Sequence, residues 1–387
     1  MEKQLNNNIQ NIEVPGTRQF SNKVDQYPDS VDLTLGQSGF DTPEPIRKAM
    51  VDAINNNKLR YTHNRGLLEL RQVISDYIFD RFNVRYSPEE EIVVMTGGSE
   101  AIDNILRTIL NPGDEVILPA PSYLGYEPII KLCGAKVVYV DTTKTDLVPT
   151  ADSIKEKITD KTKAVLFNYP TNPTGTSLSY ENIKEIVEVL KDEDIFIVTD
   201  EIYSDNVYEG KHHSFMEFEE IRNKLFVVNG LSKSHAMTGA RIGYILSTPE
   251  LSDLVNTVHL YNTICASTPS QYGAIAAFRD VPKEDLDAMN DAYKTRRDYL
   301  FDRLTGMGLP VEKPTGAFYI FPDISEYSND SFQFCLDLIE QEQLAVVPGA
   351  SFSPYGEGHI RLSFAATMEE LVEACNRLEN FLKNYKK

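Results

Sequence analysis

The stretch Asn229–Tyr244, NGLSKSHAMTGARIGY, sets a lysine between two serines just after an apolar run. Small residues (Gly230, Ser232, Ser234) surround Lys233, and a second cation, Arg241, follows eight residues on in what reads as a strand. At a strand end in a covered site, a lysine gives up its proton cheaply and can attack a carbonyl as a neutral amine. A lone lysine in a polar turn is more often simply solvated. The rest of the chain has to decide between the two.

On either side of Lys233 lie two β-type runs, Leu225–Asn229 and Ile242–Leu246. Five more precede them, giving seven: Ile92–Met95, Glu115–Leu118, Lys136–Val140, Ala164–Asn168 and Ile195–Thr199. Most are continuously apolar, the pattern of strands covered on both faces. Helical patterns such as Ser99–Leu110 and Tyr180–Leu190 lie between them, the first stopped by Asn111-Pro112-Gly113. The expected fold is α/β, a seven-stranded, mostly parallel sheet between helices.

Past Val281 the texture changes. A charged helix pattern, Glu284–Leu304, precedes strand-like runs at Ala317–Phe321, Ala345–Val347 and His359–Phe364, with helices at Ser331–Glu342 and Met368–Lys383. The expected division is a large α/β domain over residues 46–283 and a small α+β domain built from residues 1–45 and 284–387. The N-terminal segment is expected to run along the outside and join the small domain.

With 387 residues, 41% hydrophobic and 25% charged, the composition is that of an ordinary globular protein of two lobes. A net charge of −20 repels phosphate backbones and anionic membranes, so neither nucleic acid nor membrane is an expected partner. Any anionic ligand has to be held by local cations and backbone N–H groups. The four cysteines, Cys133, Cys265, Cys335 and Cys375, are far apart and form no C-x-x-C pair, as expected of reduced thiols in the cytoplasm. The opening MEKQLNNNIQ is polar, and no apolar run approaches the ~18 residues of a membrane span.

Ligands of open α/β sheets sit beyond the carboxyl ends of the strands. There the chain places Thr96-Gly97-Gly98-Ser99-Glu100, then Asn168-Tyr169-Pro170-Thr171-Asn172-Pro173, then Asp200 and Tyr203, then Ser232 and Lys233. The N–H groups of Gly98, Ser99 and Glu100 open a helix and form a seat for a phosphate. The same turn also reads as a plain helix start capped by Ser99. The carboxylate of Glu100 has to point away from any phosphate bound there.

The run IFIVTDEIY resembles a nucleotide hydrolase strand, but the only Gly-Lys, Gly210-Lys211, lacks the rest of a phosphate loop. Neither a G-x-G-x-x-G turn after a strand nor a G-x-S-x-G elbow is present. His212-His213 lacks a nearby ligand set, so no metal is expected and both read as solvated loop histidines. Asp200 is suited to pairing with a buried cationic ring nitrogen, an interaction of about 4 kcal/mol at 4 Å and an effective dielectric near 20. A helix-capping aspartate is the lesser alternative. Arg241 offers a planar fork of donors for a phosphate.

Nine stretches, taken in order, resemble the landmarks of class I/II aminotransferases, the pyridoxal-phosphate enzymes of fold type I. They are LTLGQSGFDTPEPI, YTHNRGLLELRQ, TGGSEAI, NPGDEVILPAPSYLGY, NYPTNPTG, TDEIY, GLSKSHAMTGARIG, GAFYIF and HIRLSFA. The resemblance implies that Lys233 holds pyridoxal 5′-phosphate through its amine and then shuttles a proton. It implies that Asp200 pairs with the pyridine nitrogen, that Tyr203 and Asn172 bond the phenolic oxygen, and that Tyr123 stacks on the ring. By the same resemblance, Gly98, Ser99, Glu100 and Arg241 would hold the phosphate, and Arg361, with Asn172 and the Gly36 N–H, would hold the substrate α-carboxylate. Tyr61 resembles the tyrosine that reaches the phosphate of a second subunit, which implies a homodimer as the active unit.

Three positions depart from the family pattern. Gly36-Gln37-Ser38-Gly39-Phe40 replaces G-x-P-D-F, which implies a looser loop; Ala240 stands in place of a tryptophan; Gly230 stands where some relatives have a phosphate-binding serine. The implied reaction moves an amino group between an L-amino acid and a 2-oxo acid. LCGAKVVYVDTT, NGLSKSH and SFSPYGEGHIRLSFA look closest to a subgroup containing N-acetyl-LL-2,6-diaminopimelate aminotransferases of lysine biosynthesis and aromatic-amino-acid aminotransferases. The first is the favoured reading and the second its alternative. A Cβ–S lyase would share the same cofactor contacts.

Overall fold

The computed structural model describes residues 6–10, 12, 24 and 26–385. Its centre is a sheet of seven strands: β2 (Ile92–Met95), β3 (Glu115–Ala120), β4 (Lys136–Asp141), β5 (Thr162–Asn168), β6 (Phe196–Asp200), β7 (Leu225–Gly230) and β8 (Gly243–Leu246). A short β1 (Val31–Asp32) precedes them. The order across the sheet is β2-β8-β7-β6-β5-β3-β4. Neighbours are parallel except at β8, which runs antiparallel to both β2 and β7.

The apolar runs are continuous because both faces are buried. Successive residues alternate between two cores: Val93, Met95, Val116, Leu118, Leu166 and Val228 point to one, and Ile92, Val94, Ile117, Phe167 and Val227 to the other. Full burial of each such side chain stabilises the fold by roughly 1.5–3 kcal/mol. Helix Gly98–Ile109 contributes Ile102, Ile105, Leu106 and Ile109 to the first core, while Tyr180–Leu190 contributes Ile183, Ile186, Val187 and Leu190 to the second.

The remaining strands are short. β9 (Tyr319–Ile320), β11 (Val347–Pro348) and β12 (Ile360–Ser363) form an antiparallel sheet in the order β11-β12-β9, and β10 (Leu344–Ala345) pairs in parallel with β1. The run expected as one strand over Ala345–Val347 is therefore two, parted at Val346, as the chain passes from one small sheet to the other. Helices Lys283–Gly306, Ser331–Glu342 and Met368–Asn384 pack on these strands around Tyr293, Leu300, Phe318, Phe334, Leu338 and Leu378. Tyr203 and Tyr208, from the segment after β6, belong to the same core. The chain beyond β6 is thereby fastened to the C-terminal strands.

Most of the N-terminal segment up to residue 25 lies outside the described residues. Asn7–Gln10 is helical, and Asn8 Nδ2 donates to the Leu132 carbonyl (3.1 Å), which sets this turn against helix Tyr126–Leu132. No helix among the described residues is long and apolar enough to cross a membrane.

Candidate active site

A cavity of ≈ 750 Å³ opens at the carboxyl ends of the central strands, between the sheet and the C-terminal lobe. Of the residues singled out in the sequence, Gly36, Gly98, Ser99, Tyr123, Asn172, Asp200, Tyr203, Lys233, Arg241 and Arg361 line it. Glu100 and Tyr61 do not.

Asp200 ends β6 and is buried. Burial pushes its carboxyl up to about 6, against the Tyr126 hydroxyl (2.8 Å) and the Ile202 N–H (3.2 Å), which both donate to it. Neither donor is a cation. Behind it, Asn168 Nδ2 donates to the Asp200 carbonyl (3.0 Å), and Asn168 Oδ1 accepts from the Asn172 N–H (3.2 Å). The ends of β5 and β6 are thus tied into one frame.

Lys233 follows β7 and is half-buried, its Nζ donating to the Gly36 carbonyl. Desolvation lowers its pKa to about 8; the charges of Arg361 and Arg241 act the same way and Asp200 opposes them. The ammonium sits 5.8 Å from the ring centre of Tyr203 and 5.9 Å from that of Phe318. The Tyr203 and Tyr319 hydroxyls share a hydrogen bond of 2.8 Å.

Helix Gly98–Ile109 starts without a side-chain cap, after Gly97 at φ +84°. A Cβ on Gly97 would lie 2.5 Å from Arg241 Nη2, so the absent side chain is what admits the guanidinium to the head of the helix. Arg241 itself holds a left-handed φ of 55° and donates to the Thr238 carbonyl (2.9 Å). Gly230 has no room for a serine: a Cβ there would meet the Ile242 carbonyl at 2.7 Å.

On β12, Ile360 and Leu362 face the C-terminal core while Arg361 faces the cavity, as strand alternation requires. Arg361 is 5% exposed. It donates to Asn172 Oδ1 (3.0 Å) and to the Thr34 carbonyl (2.5 Å), and lies over the rings of Tyr319 (4.4 Å) and Phe352 (5.1 Å). Its buried Nε has no partner. Among the described residues, neither Arg241 nor Arg361 has a carboxylate within ion-pair distance.

Tyr123 stands edge-on to Tyr126 (5.2 Å, 77°), in space left by Gly125. Tyr61 is 77% exposed and lies away from the cavity. The Glu100 carboxylate is turned into the protein, towards His259 and Thr263. The Gly36–Phe40 loop, expected to be looser for want of the proline and aspartate, is pinned by other means. Ser38 Oγ bonds the Tyr293 hydroxyl (2.7 Å) and accepts from the Phe40 N–H (3.1 Å), and Phe40 packs edge-on to Tyr293 (5.2 Å).

A further expectation is corrected. His212 is buried, not solvated, because the Glu201 carboxylate, 1% exposed, needs donors and takes its Nε2 at 2.9 Å. Among the described residues no group of three or more His, Cys, Asp or Glu side chains could hold a metal, and all four cysteines are free. Sequence reading missed Tyr126, Tyr319 and Thr34, and placed Asn168 at a strand end without giving it a role. Tyr126 had a usable signal: it stands three residues after Tyr123, and Asn168 closes an apolar strand.

The arrangement defines a class of enzyme. A family model for aminotransferase class I and II matches residues 28–378, and the chain belongs to that family. It is 47% identical over 382 residues (99% of this chain, 96% of the relative) to a Bacillus subtilis (strain 168) protein described as a probable N-acetyl-LL-diaminopimelate aminotransferase. Among solved structures it is similar to an aspartate aminotransferase from Thermotoga maritima, with TM-score 0.93, 34% identity and coverage of 98% of this chain and 100% of the other. It is also similar to an aromatic aminotransferase from Pyrococcus horikoshii OT3, with TM-score 0.89, 34% identity and coverage of 94% and 98%. The protein is a fold-type I aminotransferase that uses pyridoxal 5′-phosphate and acts on small amino and 2-oxo acids.

The cavity suits that cofactor. It offers a buried carboxylate without a cation for a protonated ring nitrogen, an arginine beside a glycine helix start for a phosphate, and a lysine easily deprotonated. Arg361, which has no carboxylate partner among the described residues, offers a cation on the cavity wall for a carboxylate.

Proposed function

We propose that the ten cavity residues divide the work as follows. Arg241 and the N–H groups of Gly98 and Ser99 take the phosphate; Asp200 takes the ring nitrogen; Tyr203 and Asn172 bond the phenolic oxygen; Tyr123 covers the ring face. Arg361, with Asn172 and the Gly36 backbone, holds the substrate α-carboxylate. When bound, the cofactor supplies an electron sink that makes the substrate Cα–H acidic. Lys233 Nζ, first the cofactor's covalent anchor, then takes the proton from Cα and later returns one. General base catalysis of this sort contributes about 10²–10⁴-fold.

For the physiological donor we propose N-acetyl-LL-2,6-diaminopimelate, in lysine biosynthesis. The 47% identity to the Bacillus subtilis relative supports it most. An aromatic donor is the second reading, favoured by the apolar wall of Leu35, Leu124 and Val347. The single observation that carries amino transfer from an α-amino acid is Arg361, a buried cation with no carboxylate partner among the described residues, on the wall that Lys233 also lines. The test is a panel of amino donors with 2-oxoglutarate, run on the wild type and on Arg361→Lys. Lysine keeps the charge but loses the planar fork. kcat/KM should fall for every donor, by on the order of 2–4 kcal/mol, with cofactor affinity little changed. An unimpaired Arg361→Lys enzyme would move the carboxylate site elsewhere, and a donor ranking led by phenylalanine or tyrosine would select the second reading.

We further propose a homodimer in which Tyr61 serves the neighbouring phosphate, since its exposed ring lies away from its own cavity. Tyr61→Phe should loosen the cofactor in both sites. A mixed dimer of Tyr61→Phe and Lys233→Ala chains has one cavity with Lys233 intact, and that cavity receives a sound Tyr61 from the other chain. It should therefore recover about half the wild-type activity. A fully active monomer would refute the arrangement.

A further inference from the structure

Glu100 sets a problem. It occupies the first turn of helix Gly98–Ile109, whose head faces the cavity through Gly98 and Ser99. A free carboxylate there competes with a bound anion for the helix N–H groups and repels it. The structure resolves this with four donors. Glu100 Oε1 accepts from His259 Nδ1 (2.7 Å), Thr263 Oγ1 (2.8 Å) and Asn104 Nδ2 (3.1 Å), and Oε2 accepts from the Thr96 N–H. Burial alone would raise the Glu100 pKa; His259 and the Thr96 and Thr263 bonds outweigh it and hold the carboxyl down at about 2.

His259 is fully buried on helix Pro249–Asn262, and its Nε2 has no partner. The only hydrogen bond of its side chain among the described residues is therefore with Glu100. Asn262 Nδ2 reinforces the junction by donating to Asn104 Oδ1 (2.8 Å). The Thr96 N–H bond closes the Thr96–Glu100 turn over Gly97, the residue whose missing side chain makes room for Arg241.

We propose that His259 is a positioning residue for the phosphate cradle: by holding the Glu100 carboxylate on the Thr96 N–H, it fixes the Gly97–Ser99 turn and keeps a negative charge off the anion. This rests on the reading above that Arg241, Gly98 and Ser99 hold the cofactor phosphate. The relay touches the cavity only through that turn, so it acts on the phosphate end of a ligand and leaves the ring end alone.

The test compares pyridoxal 5′-phosphate with pyridoxal, which lacks the phosphate, as ligands of the apoprotein, with inorganic phosphate as competitor. In His259→Leu, affinity for the phosphorylated ligand should drop by about tenfold or more, ~1.4 kcal/mol. Inorganic phosphate should weaken in parallel, and pyridoxal should change by less than about twofold. His259→Asn, whose amide nitrogen can replace Nδ1–H, should restore the ratio between the two ligands. Thr263→Val, should His259→Leu not fold, should shift that ratio the same way by a smaller factor. Glu100→Gln should also weaken phosphate binding, since one amide cannot accept from both sides. Equal weakening of both ligands in His259→Leu would mean a merely structural role, and no weakening, or tighter phosphate binding by Glu100→Gln, would also overturn the relay. Arg241→Ala separates the two readings: an unchanged ligand ratio there removes the cradle itself, whereas a changed ratio in Arg241→Ala alone removes only the relay.

Discussion

Lys233→Ala is expected to slow amino transfer by about 10⁴-fold or more while the protein still folds and binds the cofactor. The lysine is half-buried beside two arginines that line the same cavity, and desolvation, with their charge, brings its pKa down to about 8. Such an amine is a base near neutral pH, where an exposed lysine is almost wholly protonated. The sign for stability follows. A lysine whose folded pKa lies below 10.5 destabilises the apoprotein wherever it is charged in both states, which means below about pH 8. The alanine variant should accordingly lose nothing in apoprotein stability at neutral pH. Three measurements check the assignment: single-turnover rates, reductive labelling with borohydride, and rescue by small amines. Label on a peptide without Lys233, or a variant that turns over at the wild-type rate, would defeat it. Rescue by added amines should rise with their basicity, as a Brønsted relation requires.

The sheet could be read from the sequence because burial on both faces imposes continuous apolar runs. Ile92–Met95 begins and ends where the sequence places it, and the other six strands fall within a residue or two. Short strands were harder. Ala317–Phe321 is apolar throughout, yet only Tyr319–Ile320 pairs, because Ala317 takes a left-handed φ of 53°. Helices Leu68–Phe82 and Thr268–Arg279 bury Arg71 and Gln271, whose side chains bond backbone carbonyls and loops, and this blurs the apolar stripe.

In the site, residues at strand ends were legible because chemistry and position coincide there. Asp200, Lys233 and Asn172 are of this kind. What stayed hidden were partners brought in by tertiary packing: the Tyr126 hydroxyl on Asp200, the Tyr319 hydroxyl on Tyr203 and the Thr34 carbonyl on Arg361. No local pattern encodes a hydrogen bond between residues 327 positions apart, as the last pair is. His212 was misread although Glu201 stands only 11 residues before it, because the loop between them folds back to bring the two side chains together.

Asp200→Asn is expected to move stability and activity in opposite directions. The carboxyl is buried with two neutral donors, and its pKa rises from 3.8 to about 6. A carboxyl with a raised folded pKa is a burden wherever it is ionised in both states. The burden is fully present above about pH 6, shrinks as pH falls, and is gone below 3.8, where the group is protonated folded or unfolded. Asparagine keeps the shape without the charge, so the apoprotein should gain on the order of 3 kcal/mol at pH 7 and next to nothing once the pH is well below 3.8. Denaturant unfolding of both apoproteins at several pH values measures this directly. The function should suffer, because the carboxylate acts where positive charge has to be held on the ring nitrogen while negative charge develops at Cα. Loss of one preorganised electrostatic partner typically lowers a rate by about 10²–10³-fold. The half-reaction with a good amino donor, followed in a stopped-flow instrument, should fall by that factor, well beyond any loss of cofactor affinity. A buried charge that destabilises the empty protein is worth retaining only if a ligand cation neutralises it. An Asp200→Asn enzyme with an unchanged half-reaction rate, or an apoprotein no more stable at pH 7, would separate Asp200 from that role.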